Sequence, residues 1–399
     1  MIMDFKQAKN MDEKYIFSTY KRQPLLLVKA KGSWVWDSAG NKYLDFFSGL
    51  AVNNLGNCHP KVVKAIKAQA GAIMHTSNIF MTEPMLGVAK ILGEHFGGEV
   101  FFCNSGAEAN EAAIKLARKW GSEHGGKFEI ITMEESFHGR TLTTITATGQ
   151  TKYQKGFEPL TPGFKYAKFN DLGSVTKLIT KKTCAILVEP IQGEGGVNIG
   201  EISFIKGLRE ICNDHNILLM FDEVQTGIGR TGKMFAYEHF GVKPDVMTLA
   251  KALGGGLPLG AMLAVPGIAE YFKPGNHAST FGGNPVCCAA AKAVLEAIAE
   301  DKLLDNAAKL GKLLLEKLTN FETKYKFVKD VRGKGMMIGI ELEMEGAEIV
   351  AQARDKGLLI NCTADKVIRL LPPITAKLSE VKTAVKILDE IFLEIQKQL

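Results

Sequence analysis

Ile217-Leu218-Leu219-Met220-Phe221-Asp222-Glu223-Val224-Gln225 is a short apolar run that ends on two carboxylates. A run of this length with no polar break reads as a strand buried on both faces, as in parallel sheets covered by helices. Four similar runs flank it: Val100-Phe101-Phe102, Phe128-Glu129-Ile130-Ile131, Ala185-Ile186-Leu187-Val188 and Val246-Met247-Thr248-Leu249, with helical stretches between them. The alternation predicts an α/β fold with a mostly parallel sheet. Ligands of such sheets gather beyond the carboxyl ends of the strands, which is where Asp222 stands.

Outward from this centre the pattern changes. Residues 285–399 read as helices around a short sheet, closed by an amphipathic helix with apolar positions Val381, Ala384, Val385, Leu388, Ile391, Phe392 and Ile395. Near the other end, Ser33-Trp34-Val35-Trp36-Asp37 and Lys42-Tyr43-Leu44-Asp45-Phe46 form a predicted hairpin turning at Ala39-Gly40-Asn41. We expect an opening segment, 1–50, that packs with the smaller domain, a large domain over 51–284 and a small C-terminal domain over 285–399. With 399 residues, 46% of them hydrophobic and 23% charged, the chain can fill two cores and is not a disordered sequence.

Composition also narrows the partners. A net charge of +6 without a dense basic block points to small anionic ligands rather than nucleic acid. No apolar run is long enough to span a bilayer, and the first residues lack the charged-then-apolar pattern of a secretory leader, so a cytoplasmic location with no membrane partner is expected. Seven cysteines with no Cys-x-x-Cys pair argue against a disulfide framework and a structural zinc site, and no metal is expected.

Four constellations carry possible chemistry. Asn104-Ser105-Gly106-Ala107-Glu108-Ala109-Asn110 follows a strand and opens a helix, where free N–H groups and the helix dipole suit a phosphate; an ordinary capped turn has the same look. Asp222 at a strand tip could hold a metal, cap a helix or pair with a protonated ring nitrogen. Gly227-Ile228-Gly229-Arg230-Thr231-Gly232-Lys233-Met234 matches short nucleotide-binding fingerprints but lacks their context, since it does not directly follow the strand and Met234 replaces a magnesium-binding hydroxyl. In Leu249-Ala250-Lys251-Ala252-Leu253-Gly254-Gly255-Gly256 a lysine leaves a buried strand among glycines. Burial frees its amine as a nucleophile, although a lysine that snorkels to water is the commoner outcome.

Together a phosphate seat, an acid for a pyridinium and a lysine for an imine, all on one sheet edge, meet the requirements of pyridoxal phosphate. Ser136-Phe137-His138-Gly139-Arg140-Thr141 adds an aromatic face and an arginine, and His277-Ala278-Ser279-Thr280-Phe281-Gly282-Gly283-Asn284-Pro285 adds hydroxyls.

These blocks, with Val188-Glu189-Pro190-Ile191-Gln192-Gly193-Glu194-Gly195-Gly196 and Ile368-Arg369-Leu370-Leu371-Pro372-Pro373, resemble the fold-type I, class III (ω-amino) aminotransferases over nearly the whole chain. The resemblance implies a large domain with a mostly parallel seven-stranded sheet and a smaller α+β domain. It further implies that Lys251 carries pyridoxal 5'-phosphate, Asp222 keeps the pyridine nitrogen protonated, and Phe137 and Val224 sandwich the ring. Gln225 would bond the phenolic oxygen, and Ser105, Gly106 and Ala107 the phosphate. Thr280 would reach the phosphate of a neighbouring subunit, so a homodimer with shared sites is implied.

For substrates, the resemblance implies transfer of the terminal amine of N2-acetylornithine to 2-oxoglutarate, giving glutamate, in arginine biosynthesis. Arg140 with Ser279 would take the acetylornithine carboxylate, Arg369 the carboxylate of glutamate or 2-oxoglutarate, and Glu194 would neutralise Arg369 while an ω-amine is bound. Ornithine, succinylornithine, succinyl-diaminopimelate and 4-aminobutyrate are the neighbouring substrate alternatives, and a P-loop nucleotide protein is the remote one. Asn57 and Ala278 depart from the family, where histidine and glycine are common, and are expected near the site entrance.

Overall fold

The structure is a computed structural model that describes residues 3–398. It opens with an antiparallel ribbon of β1 (Leu27–Lys31), β2 (Trp34–Asp37) and β3 (Lys42–Asp45). Asp37 builds the expected turn: its Oδ1 accepts from the N–H groups of Ala39 at 3.0 Å and Asn41 at 2.8 Å.

The central sheet has seven strands, as expected: β4 (Glu99–Cys103), β5 (Glu129–Met133), β6 (Phe164–Ala167), β7 (Thr183–Val188) and, after a small hairpin of β8 (Ile191–Gln192) and β9 (Asn198–Ile199), β10 (Leu218–Asp222), β11 (Val246–Leu249) and β12 (Gly260–Ala264). Their order is β4-β12-β11-β10-β7-β5-β6, and only β12 runs against its neighbours. Every residue of β7, β10, β11 and β12 is buried, which is why these segments carry no alternating polar face. The helix Gly106–Glu123 lies against β11 and β12 on a stripe of Ala109, Ala112, Ala113, Leu116, Ala117 and Trp120. Its alanines let the backbone approach the sheet closely. Helix Pro285–Glu300, capped by Asn284, packs against helices Pro60–Ala70 and Glu83–Phe96.

The C-terminal part has its own antiparallel sheet, β13 (Val328–Lys334), β14 (Met337–Leu342), β16 (Asn361–Thr363) and β17 (Val367–Leu370), in the order β13-β14-β17-β16. Helices Leu303–Lys324 and Leu378–Gln396 pack together beside it. Of the apolar positions expected on the last helix, Val385 is half-buried and the others are buried. Between β14 and β16, β15 (Leu358–Leu359) leaves to pair in parallel with β3, stitching the opening ribbon to this part. Glu380 adds a second tie, accepting from Ser33 Oγ and Trp34 Nε1, both at 2.9 Å. Among the described residues no helix is long and apolar enough to cross a membrane.

Candidate functional site

At the tip of β10 Asp222 is only 3% exposed, so its charge must be met by protein donors or by a ligand. Oδ2 accepts from Asn110 Nδ2 at 2.7 Å and His138 Nδ1 at 2.8 Å, and Oδ1 accepts from the Val224 N–H at 3.0 Å. Thr248 Oγ1 donates to Asn110 Oδ1 at 2.8 Å, which turns the amide so that its N–H faces the acid. Two donors thus hold one oxygen, while the other retains capacity for a donor from the cavity. Sequence reasoning assigns no role to Asn110, His138 or Thr248. His138 lies inside the Phe137–Arg140 block, but its partner comes from 84 positions away.

Lys251 follows β11, the parallel neighbour of β10, with Asp222 in register with Thr248. Both side chains line one cavity of about 530 Å³. The lysine adopts φ of +45°, a left-handed conformation that costs an ordinary residue roughly 1–2 kcal/mol. Backbone strain of this kind is characteristic of residues held for a task. Burial lowers the pKa of its amine; Glu194 acts against that and Arg369 adds to it. Gly255, at φ +59°, is required where it stands, because a Cβ there would meet Val294 Cγ2 at 2.8 Å.

The cavity also receives the start of the 18-residue helix at Gly106. Ser105 is its N-cap, Oγ accepting from the Glu108 N–H at 3.2 Å, a bond worth about 1 kcal/mol. The next N–H groups, of Gly106 and Ala107, precede the first intrahelical bonds and remain available to an anion. A Cβ on Gly106 would lie 2.7 Å from Val224 Cγ1, so only glycine lets the helix start and the strand tip close on the same space. Phe137 forms another wall, with the Arg140 guanidinium 5.4 Å from its ring and 4.2 Å from that of Tyr153. Arg140 is exposed and makes no ion pair among the described residues.

Beyond Gln225 lies a second charged cluster. Arg369, fully buried, donates from Nη1 to Gly193 O at 2.8 Å, Glu194 Oε1 at 2.8 Å and Gln225 Oε1 at 3.0 Å. Its Nη2 is buried with no hydrogen-bond partner among the described residues. Burial alone would raise the Glu194 carboxyl, but the charges of Arg369 and Lys251 and the bonds from Arg369 and Gln225 bring it down to about 2. Glu189, the other acid lining the cavity, accepts from the Phe137 N–H at 2.8 Å and the Gly193 N–H at 3.2 Å, and burial pushes its carboxyl up.

The fold therefore brings Ser105, Gly106, Ala107, Phe137, Arg140, Asp222, Val224, Gln225 and Lys251 to one cavity, with Glu194 and Arg369 reached through Gln225. Ser279 joins its edge through Asn104, whose Nδ2 donates to Ser279 Oγ at 3.2 Å. Thr280 does not join it: it lines a separate cleft with His75, Phe80 and Phe281. Asn57 bonds Asp45 Oδ2 at 3.0 Å and Gly32 O at 3.2 Å and does not line the cavity. The Gly227–Lys233 motif forms no phosphate loop, because its central arginine is buried between segments. No group of three or more His, Cys, Asp or Glu side chains is placed to hold a metal among the described residues.

Pyridoxal phosphate fits this donor set. The free helix N–H groups suit a phosphate, the open side of Asp222 Oδ1 suits a ring N–H, and the lysine amine suits an aldehyde.

Comparison with known proteins gives a family match, described as Aminotransferase class-III, over residues 16–392. The acetylornithine aminotransferase of Methanocaldococcus jannaschii is 52% identical over 391 residues, covering 97% of this chain and 98% of the relative. Two solved structures share the fold. An ornithine aminotransferase from Toxoplasma gondii, described with partial occupancy of PLP at its active site, has a TM-score of 0.95 at 33% identity, covering 99% of this chain and 95% of its own. The acetylornithine aminotransferase of Elizabethkingia anophelis has a TM-score of 0.88 at 35% identity, covering 98% of this chain and all of its own.

Proposed function

This chain belongs to the class-III aminotransferases, which makes it a pyridoxal-phosphate-dependent transaminase, and from that premise we propose that it moves the terminal amino group of N2-acetyl-L-ornithine to 2-oxoglutarate, in arginine biosynthesis in the cytoplasm. When bound, pyridoxal phosphate supplies an aldehyde that condenses with primary amines and a ring that accepts the electron pair left when the amine-bearing carbon loses a proton. In this reading the N–H groups of Gly106 and Ala107, with Ser105, hold the phosphate, Phe137 and Val224 confine the ring, and Gln225 bonds its phenolic oxygen. Asp222, fixed by Asn110 and His138, keeps the proton on the ring nitrogen. Lys251 would tether the coenzyme through Nζ and would be the base that takes the proton from the amine-bearing carbon of the substrate.

Substrate alternation rests on one observation, the 2.8 Å ion pair of Glu194 with the buried Arg369. While the pair is closed, the guanidinium is neutralised and the cavity admits an amine-bearing end that carries no carboxylate. Arg140, with Ser279, then takes the carboxylate at the far end of acetylornithine. When 2-oxoglutarate or glutamate enters, its carboxylate takes the place of Glu194, and the unpartnered Nη2 of Arg369 offers a further donor.

The test is spectroscopic. Acetylornithine added to the purified holoenzyme without 2-oxoglutarate is expected to bleach the visible band of the lysine-bound coenzyme, and 2-oxoglutarate to restore it. A band that ornithine or 4-aminobutyrate bleaches at lower concentration than acetylornithine would overturn this substrate assignment.

The same reading includes a homodimer with shared sites. It is supported by Ile79 and Met81, 85% and 81% exposed, beside the cleft that holds Thr280 and Phe281, an apolar surface this chain leaves uncovered. Light scattering is expected to give twice the 43.5 kDa chain mass; a monomer retaining full activity would rule the dimer out.

A further inference from the structure

The loop that only formally matches a nucleotide fingerprint has Arg230 at its centre, with no exposed surface. Burying an ionised guanidinium without a bonded carboxylate is costly, and among the described residues Arg230 bonds only neutral acceptors. Nη1 donates to the main-chain oxygens of Met336, at 2.9 Å, and Pro372, and Nη2 donates to Asn54 Oδ1. Its pKa is pushed down to about 9 by burial, with Asp45 opposing the shift and Arg369 adding to it.

These acceptors share a geometric relation. The β14–β17 ladder pairs Ile338 with Leu370 and Gly339 with Arg369, and at that end of it Met336 immediately precedes β14 while Pro372 lies two residues beyond β17. Arg230 therefore ties together the two segments that flank one end of the ladder that holds Arg369. The grip is returned from both sides. Met336 N donates to Arg230 O at 2.9 Å, and Asn54 Nδ2 donates to Ile228 O at 2.7 Å. Gly335 presses on Thr231 so closely that a Cβ would lie 2.4 Å from its carbonyl carbon. On its other side the arginine loop continues directly from Gln225 and the Asp222 strand.

We propose that Arg230 is a positioning residue for the half-reaction that uses the dicarboxylate, fixing the end of the β14–β17 ladder so that Arg369 meets a carboxylate at the correct depth from Lys251. The proposal rests on the reading of Arg369 as the dicarboxylate receptor. A misplacement of about 1 Å can cost about a hundredfold in rate. A lysine at 230 keeps the charge but loses the fork that reaches two carbonyls and an amide.

The experiment compares Arg230→Lys with wild-type holoenzyme. The KM for 2-oxoglutarate is expected to rise about tenfold or more while the KM for acetylornithine stays within about twofold. Binding of glutarate, an unreactive dicarboxylate, measured by calorimetry should weaken by a similar factor, with the visible coenzyme band unchanged. Equal loss for both substrates with a lowered melting temperature would mean a merely structural role and would overturn the proposal. If Arg230→Lys does not fold, Asn54→Ala, which removes one acceptor of the same fork, decides by the same criteria. Arg369→Lys separates the two readings. Unchanged glutarate affinity in that variant overturns the receptor reading itself. Weakened affinity there, with wild-type affinity in Arg230→Lys and Asn54→Ala, overturns only the proposal for Arg230.

Discussion

Lys251→Ala is expected to lower turnover by at least about 10⁴-fold, because in the proposed function one amine serves as both tether and proton carrier. The visible band of the lysine-bound coenzyme should vanish with it. Stability should move the other way or stay level. The amine is disfavoured in its charged form by burial and by Arg369, so its removal relieves a cost, although Glu194 offsets part of that cost. A melting curve recorded beside the kinetics therefore distinguishes a lost catalytic group from a damaged fold. A variant that keeps both the band and the turnover would exclude Lys251 from its role.

Asp222→Asn is expected to lose roughly 10²–10⁴-fold in kcat at nearly constant volume. The substitution removes the charge that, in the proposed function, keeps the ring nitrogen protonated, and its amide would set an N–H either against the donors of Asn110 and His138 or against the Val224 N–H. The coenzyme should still bind, since Lys251 and the helix start at Gly106 are untouched. Circular dichroism is expected to match wild type. Turnover within tenfold of wild type would show that the acid does not govern the ring's charge.

Much of the fold is legible in the sequence because burial on both faces writes itself as unbroken apolar runs. All five runs singled out there are strands of the central sheet, and Val246–Leu249 matches β11 residue for residue. The two strands not anticipated explain themselves physically. Edge strand β6, Phe-Lys-Tyr-Ala, is half-polar, and the β12 sequence Gly-Ala-Met-Leu-Ala begins with small residues of weak strand preference. Motif positions are equally visible, because a strand end, a glycine turn and a helix start each have local chemistry. His138 and Asn110 were not singled out because the need for them arises only once Asp222 is buried and one of its oxygens must be satisfied. Arg230 was read as part of a failed nucleotide motif, and its partners lie 106, 142 and 176 positions away.

The sheet, its strand tips and the acid, amine and helix start beyond them can be read from the chain alone, since each follows from neighbours within a few residues. It takes the folded chain to show that Glu194 and Arg369, 175 positions apart, meet at 2.8 Å, that Arg230 bonds the segments flanking the ladder of Arg369, and that Thr280 lies outside the Lys251 cavity of its own chain. Charges far apart in the chain have no local signature. Their pairing is fixed by how the turn between β8 and β9, which carries Glu194, packs against β17, which carries Arg369, and burial then leaves each charge few partners to choose from.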